Sequence, residues 1–90
     1  MQIRFTARYK KDYKVCMKRG IDMEKVNQTL VWLRDGVELP ERMKDHALKG
    51  NYKGHRECHI EPDLVLVYRY NYECQAVMAV RLGTHSDVLE

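Results

Sequence analysis

The chain has 90 residues, of which 44% are hydrophobic and 32% are charged, and its formal net charge at pH 7 is +3. This length predicts a single domain over residues 1–90 with a modest core that buries roughly 60% of the surface of the unfolded chain. Apolar runs such as Leu64–Tyr68 are far shorter than the about 20 residues of a membrane span, and the start lacks a secretory signal, so we expect a cytoplasmic protein with no membrane partner.

The first third of the chain predicts a strand followed by two helices. Residues 2–6 alternate polar and apolar side chains, as a half-buried strand does. Thr6 is suited to cap a helix that Gly20 closes, and Asp22 is suited to cap a second helix that ends at Asp35-Gly36. Apolar side chains recur at steps of three and four residues along both helices, which indicates one buried face on each. These side chains are Tyr9, Tyr13, Cys16 and Met17 in the first helix, and Met23, Val26, Leu30 and Leu33 in the second.

From residue 37 onward the pattern predicts a loop and then three strands. Residues 37–51 form the loop, with a short strand near His46–Leu48. The segments 55–60, 64–70 and 74–82 are strands joined by tight turns, and residues 84–90 are a short tail. The last strand is expected to place Ala76, Met78, Val80 and Leu82 on one side. The predicted fold class is therefore α+β, with a two-helix hairpin packed on a small, mainly antiparallel β-sheet.

Basic side chains are concentrated in two parts of the sequence. Residues 1–20 hold seven basic side chains and one acidic side chain. A second cluster consists of Arg42, Lys44, Lys49, Lys53 and Arg56. Such clusters are often only a solvated surface, but they also suit a polyanionic partner, either nucleic acid or an acidic protein.

His59, Asp63 and His85 are predicted to meet at one edge of the sheet, with His46 reaching in from the loop. His46 lies in the loop, His59 ends one strand and precedes a turn that contains Asp63, and His85 follows the last strand. Imidazoles titrate near neutral pH, so two of them can give and take protons in one reaction without a metal or another cofactor. Arg81 faces the same region if its strand keeps strict alternation, and its guanidinium group suits a phosphate. The alternative is that each histidine is an ordinary surface residue.

The cysteines argue against a disulfide scaffold and against a zinc module. Their number is odd, and no two of them have CxxC spacing. A zinc site from Cys58, His59, Cys74 and His85 is disfavoured because Cys58 and His59 point to opposite faces of a strand. We expect reduced thiols and no bound metal.

The segment from Asp45 to Leu64 carries a specific motif. It reads DHALKGNYKGHRECHIEPDL, and RLGTHS follows at residues 81–86. The pattern DH-x-L-x-G-x-[WY]-KG-x-R-x-x-H-x-EPD with a late R-x-GTH resembles the YafQ branch of the RelE/ParE toxin superfamily. The resemblance implies a RelE-like fold and the toxin of a type II toxin–antitoxin pair. Such a toxin is an endoribonuclease, or mRNA interferase, that cleaves mRNA on the ribosome and is silenced by a cognate antitoxin of the DinJ/RelB type.

The resemblance also implies functional residues. The acid–base set corresponds to His46, His59, Asp63, His85 and Arg81. Lys49, Lys53 and Arg56 are expected to hold the RNA backbone. Leu64 stands where the family has a tryptophan, and Leu89 stands near the end where the family has an aromatic residue, so base stacking is expected to differ. Two alternatives remain at this point: a ParE-like toxin that poisons gyrase, and a non-catalytic module that binds RNA or protein.

Overall fold

Three helices pack on a five-stranded sheet in the computed structural model of the protein, which describes residues 1–89. The strands are β1 (Gln2–Phe5), β2 (His46–Ala47), β3 (Arg56–Glu61), β4 (Leu64–Asn71) and β5 (Ala76–Gly83), and the helices are α1 (Ala7–Lys18), α2 (Met23–Arg34) and α3 (His85–Leu89). The order in the sheet is β1-β5-β4-β3-β2, antiparallel throughout except that β1 runs parallel to β5. The predicted α+β class is confirmed, with a mixed rather than a purely antiparallel sheet.

The two long helices begin at the predicted caps. Thr6 Oγ1 accepts the Tyr9 N–H at 3.0 Å, and Asp22 Oδ1 accepts the Glu24 N–H at 3.1 Å, so each cap satisfies a helix N–H that has no partner within the helix. The predicted apolar faces are largely buried, but the expectation for Met17 is wrong because its side chain is exposed. None of the helices in the described part of the chain is long and apolar enough to span a membrane.

The sheet has two covered faces. We call the side that packs against α1 and α2 the hairpin face, and its core includes the buried side chains of Cys58, Leu66, Tyr68, Val77 and Leu82. Burial raises the pKa of the Cys58 thiol to about 12, which fits a packing group rather than a reactive thiol. We call the opposite side the α3 face. Its smaller core joins Val65 and Val67 to Val88 of α3, with Leu48 and Tyr52 packed against it.

The last strand contains one extra residue that breaks its alternation. Val67 pairs with Arg81, but the next residue, Tyr68, pairs with Ala79, so Val80 has no partner of its own in β4. A residue inserted in this way shifts the following side chains to the other face. The expectation that Ala76, Met78, Val80 and Leu82 share one side is therefore wrong, and Leu82 lies in the hairpin-face core.

The predicted tail after β5 is instead the short helix α3. The Asp87 N–H donates to Thr84 Oγ1 at 3.1 Å, and the Thr84 N–H donates to Asp87 Oδ2 at 3.2 Å, which is a reciprocal cap. Val88 is 1% exposed, so this helix is anchored by one buried side chain. The start of β5 is also two residues later than predicted, because Asn71 Oδ1 accepts the N–H groups of Glu73 and Cys74 and extends the turn.

Candidate active site

A buried carboxylate lies at the centre of three imidazole rings. Glu57 is only 1% exposed. Its Oε1 lies 3.3 Å from Nε2 of His59 and 3.8 Å from Nε2 of His46, and its Oε2 lies 3.7 Å from Nε2 of His85. The structure therefore brings together the three histidines that the sequence placed at one edge of the sheet. It adds a carboxylate between them.

Strand pairing explains why Glu57 and two of the histidines meet. His46 of β2 lies directly opposite Glu57 of β3, and such directly opposed side chains are neighbours on the same face. His59 follows Glu57 by two residues and so points to the same side of the strand. Their partners in β4 are Val67 and Val65, which belong to the α3 face. The cluster therefore lies on the α3 face, away from the helical hairpin.

The carbonyl group of Lys44, two residues before β2, holds the ring of His46 in place. Nδ1 of His46 lies 2.7 Å from the carbonyl oxygen of Lys44. A carbonyl only accepts hydrogen bonds, so Nδ1 carries the proton and Nε2 faces Glu57. Lys44 adopts a left-handed conformation with φ of 49°, which is unfavourable for a lysine. This strained turn directs the Lys44 carbonyl group toward the imidazole.

The ring of His85 is positioned by the close packing of α3 on the end of β5. A Cβ atom at Gly83 would lie 3.1 Å from Cβ of Asp87, which is tighter than an ordinary contact, so glycine favours this close approach. Thr84 then caps the helix, and His85 is its first residue. The three residues Gly83-Thr84-His85 thus act together: they turn the chain from β5 into α3 and place the imidazole of His85 beside Glu57.

The sequence interpretation missed Glu57. Its Oε2 has no hydrogen-bond partner among the described residues. A buried carboxylate oxygen without a hydrogen-bond partner is costly, and the polar groups nearest to it are the imidazole nitrogens of the three histidines. Two signals in the sequence could have identified Glu57. The alternation of β3 puts Glu57 and His59 on the same face, and the short strand at His46 pairs with β3.

Two residues of the predicted acid–base set, Asp63 and Arg81, do not contact Glu57 in the described part of the chain. Asp63 is exposed in the turn between β3 and β4, and the carboxylate that contacts His59 is Glu57. Arg81 pairs with Val67, which also pairs with Glu57, so Arg81 lies on the α3 face as expected, although the extra residue of β5 and not strict alternation puts it there. Its Nε donates to Asp12 Oδ2 at 2.8 Å.

The Arg81 guanidinium group connects three elements of the fold. Besides its bond to Asp12 of α1, its Nη2 donates to the carbonyl oxygen of Asp87 in α3 at 3.0 Å. Asp12 Oδ2 also accepts the N–H of Leu82 at 3.0 Å. The hydrogen bond with Asp12 raises the pKa of Arg81 above its usual value. The arrangement indicates that Arg81 stabilises the position of α3.

We expect Asp12→Ala to lower the free energy of unfolding by about 3 kcal/mol, because it leaves the Arg81 charge without its partner in a place where the two side chains are 12% and 13% exposed. Urea unfolding followed by circular dichroism measures this change. Asp35→Ala removes the partner of Arg34 in a solvent-exposed pair and should change the free energy of unfolding much less. Equal effects of the two substitutions would show that the Asp12–Arg81 pair is not a structural tie.

The three cations predicted to hold RNA are placed unequally. Lys49 and Lys53 are exposed at the two ends of the 3₁₀ turn Gly50–Tyr52. Arg56 Nε instead lies 3.2 Å from Asp45 Oδ1, and its pairing with Tyr68 places it on the hairpin face. Its charge is therefore partly neutralised, and it points away from Glu57.

Comparison with known proteins gives close matches over the whole chain. The family described as "Bacterial toxin of type II toxin-antitoxin system, YafQ" matches residues 1–90. The mRNA interferase toxin YafQ of Escherichia coli strain K12 is 36% identical over 85 residues, which cover 93% of this chain and 90% of that protein. A chain of the E. coli DinJ-YafQ toxin-antitoxin complex superposes with a TM-score of 0.86 at 34% identity, covering 99% of this chain and 97% of that one.

A metal-bound toxin from Helicobacter pylori is also similar, with a TM-score of 0.91, 37% identity and 97% of each chain covered. Within residues 1–89 of the present chain, no group of three or more His, Cys, Asp or Glu side chains is arranged to hold a metal ion.

Proposed function

Because the chain belongs to the YafQ family of bacterial toxins of type II toxin–antitoxin systems, we propose that its histidine cluster cleaves mRNA on the ribosome. The activity is that of an mRNA interferase, an endoribonuclease. The observation that carries the proposal is the convergence of His46, His59 and His85 on Glu57. Three exposed or half-exposed imidazoles around one fixed carboxylate supply proton donors and acceptors at one point of the surface.

The proposed reaction uses the 2′-hydroxyl group of RNA as the nucleophile. A base removes its proton, the oxygen attacks the adjacent phosphorus, and an acid protonates the departing 5′-oxygen. We assign the base to His59, which lies nearest to Glu57, and the acid to His85. His46 stabilises the negative charge of the phosphorane.

In this proposal Glu57 is a positioning residue for the histidines. Its carboxylate is buried and does not face solvent, so it orients the rings rather than contacting RNA. Asp63, which the family resemblance includes in the acid–base set, is an exposed carboxylate at the neighbouring turn. Arg81 acts through its bond to the Asp87 carbonyl, which holds the helix that carries His85.

The nucleophile is tested with a synthetic mRNA that carries a single 2′-deoxynucleotide at the cleavage site. We expect the purified chain to cut ribosome-bound all-ribose mRNA, to leave a 2′,3′-cyclic phosphate, and to lose at least about 10³-fold in rate on the deoxy-substituted message, because the attacking group is missing. Mapping of 5′ ends and analysis of the 3′ terminus give the measurement.

The control is a message with the 2′-deoxynucleotide placed ten positions away, which should be cut at the normal rate. Equal cleavage with and without ribosomes would reject ribosome dependence while keeping the chemistry. Undiminished cleavage of the deoxy-substituted site would reject 2′-hydroxyl attack.

The antitoxin completes the proposal. A similar E. coli chain is found in complex with DinJ. We propose that a cognate antitoxin of the DinJ/RelB type binds this chain and silences it in the cytoplasm. Net positive charge suits such a partner if its own chain is acidic.

A further inference from the structure

An open cleft of about 310 Å³ runs beside His59 along the outer part of β3. One wall comes from the 3₁₀ turn Glu41–Met43 and the residue after it, and the other wall comes from β3 and its following turn. The lining residues are Arg42, Lys44, His59, Ile60, Glu61 and Pro62. The cleft therefore borders the histidine cluster through a shared imidazole.

The cleft carries two positive charges without partners. Arg42 and Lys44 are exposed, and neither takes part in the ion pairs found among the described residues. Glu61, the acidic residue in the lining, is paired with Lys25, whose Nζ lies 2.5 Å from its Oε1. The local field thus favours an anion.

The charges of a neighbouring cavity show which end of the cleft favours an anion. That cavity shares Arg42 and Glu61 with the cleft but is also lined by Asp22 and Glu24. These carboxylates disfavour a phosphate there. An anion is therefore held at the end of the cleft that meets His59.

The position of Lys44 couples the cleft to the catalytic rings. Its side chain lines the cleft, and its carbonyl oxygen accepts the hydrogen bond that orients His46. Its left-handed backbone is held in a strained conformation, as is typical of functional sites. An anion bound to Lys44 is thereby kept at a fixed place relative to the histidine cluster.

We infer that this cleft binds a backbone phosphate of the RNA strand next to the scissile one, through Arg42 and Lys44. The inference rests on the proposed ribonuclease function. Arg42 and Lys44 line the same cleft as His59, whereas Arg56 is engaged with Asp45 on the hairpin face. The bound group is one phosphodiester, because the two cations line a single cleft and suit the two non-bridging oxygens of one phosphate, and the cavity with Asp22 and Glu24 lies beyond.

The test combines protein variants with neutral phosphates in the substrate. Arg42→Gln and Lys44→Asn remove the charges, and asparagine tolerates the left-handed backbone of residue 44. With ribosome-bound mRNA we expect KM to rise about tenfold for each variant while kcat is retained. We also expect the plot of log(1/KM) against the logarithm of salt concentration to become less steep, by about 0.7 in slope for each lost phosphate contact. The matched control is Lys10→Gln with Lys14→Gln, two exposed lysines of α1, which should leave KM unchanged.

A scan with single methylphosphonates identifies the phosphate. In the wild-type chain, neutralising one phosphate within about three nucleotides of the cut should raise KM, and this penalty should vanish in the Arg42→Gln/Lys44→Asn double variant. Additive penalties at every position would overturn the inference. Loss of binding to ribosomes that carry no mRNA would also overturn it, because the cations would then contact the ribosome. Failure of the wild-type chain to cleave any message would instead reject the proposed function.

Discussion

His85→Ala is expected to lower the rate of mRNA cleavage by about 10² to 10⁴-fold while the fold is retained. This is the usual contribution of a positioned proton donor, and the proposed mechanism gives His85 the protonation of the departing 5′-oxygen. The ring is exposed at the first residue of α3, whose anchor is Val88 rather than the imidazole, so removing it should cost little stability. Single-turnover cleavage of ribosome-bound mRNA measures the rate, and circular dichroism measures the fold.

A matched control uses the fourth histidine of the chain. His55 lies in the turn before β3 with its ring edge against Tyr52, and Glu57 is not among its contacts in the described residues. His55→Ala should therefore keep cleavage within a fewfold of the wild-type rate. Near-normal cleavage by a folded His85→Ala variant would remove His85 from the mechanism. A message with a better leaving group at the 5′-oxygen, such as a bridging 5′-phosphorothiolate, should restore much of the lost rate, because a sulfur leaving group needs no proton.

Glu57→Gln is expected to lower kcat by about 10² to 10⁴-fold, although the side chain does not contact RNA. The substitution keeps the size of the group and removes the negative charge against which three rings are oriented. Neutralising a carboxylate that orients a catalytic histidine has effects of this size. Stability should be unchanged or higher, because the carboxylate is buried with one oxygen unpartnered and an amide is less costly to bury.

The combination of lower kcat and retained stability separates a positioning role from a structural one. KM should change little, since the carboxylate does not bind substrate. Glu57→Asp should recover part of the rate, and Glu73→Gln serves as a control at an exposed position in the turn between β4 and β5. A large drop in Tm for Glu57→Gln, with kcat reduced only in proportion to the unfolded fraction, would contradict the proposal.

Local physical rules in the sequence predict much of this fold. The caps at Thr6 and Asp22 satisfy helix N–H groups within a few residues, so they are visible in the sequence without knowledge of the tertiary structure. The three consecutive strands follow from alternation and tight turns. The convergence of His46, His59 and His85 was predicted for the same reason, because antiparallel strands bring their ends together.

The remaining features depend on contacts between distant residues. Glu57 is buried because β2 and α3 cover it from two sides. The sequence of the six-residue strand β3 alone does not reveal this burial. The side to which Arg81 points depends on a single unpaired residue, Val80, which no periodicity in an eight-residue strand reveals. The parallel pairing of β1 with β5 joins residues more than 70 positions apart.

The extra residue in β5 has a consequence for how the chain tolerates changes in its length. Deleting Val80 would leave Ala79 and Arg81 as neighbours opposite Tyr68 and Val67, so the strand would become regular while Arg81, Leu82 and Gly83 keep their partners in β4. The irregular segment 35–45 contains no strand and lies before the cluster, so a residue added at Gly36 or Val37 shifts no pairing. Deleting Leu82 would instead put Gly83 opposite Leu66 and shift His85 by one position, so this deletion should abolish mRNA cleavage, whereas loss of Val80 should leave His85 close to Glu57.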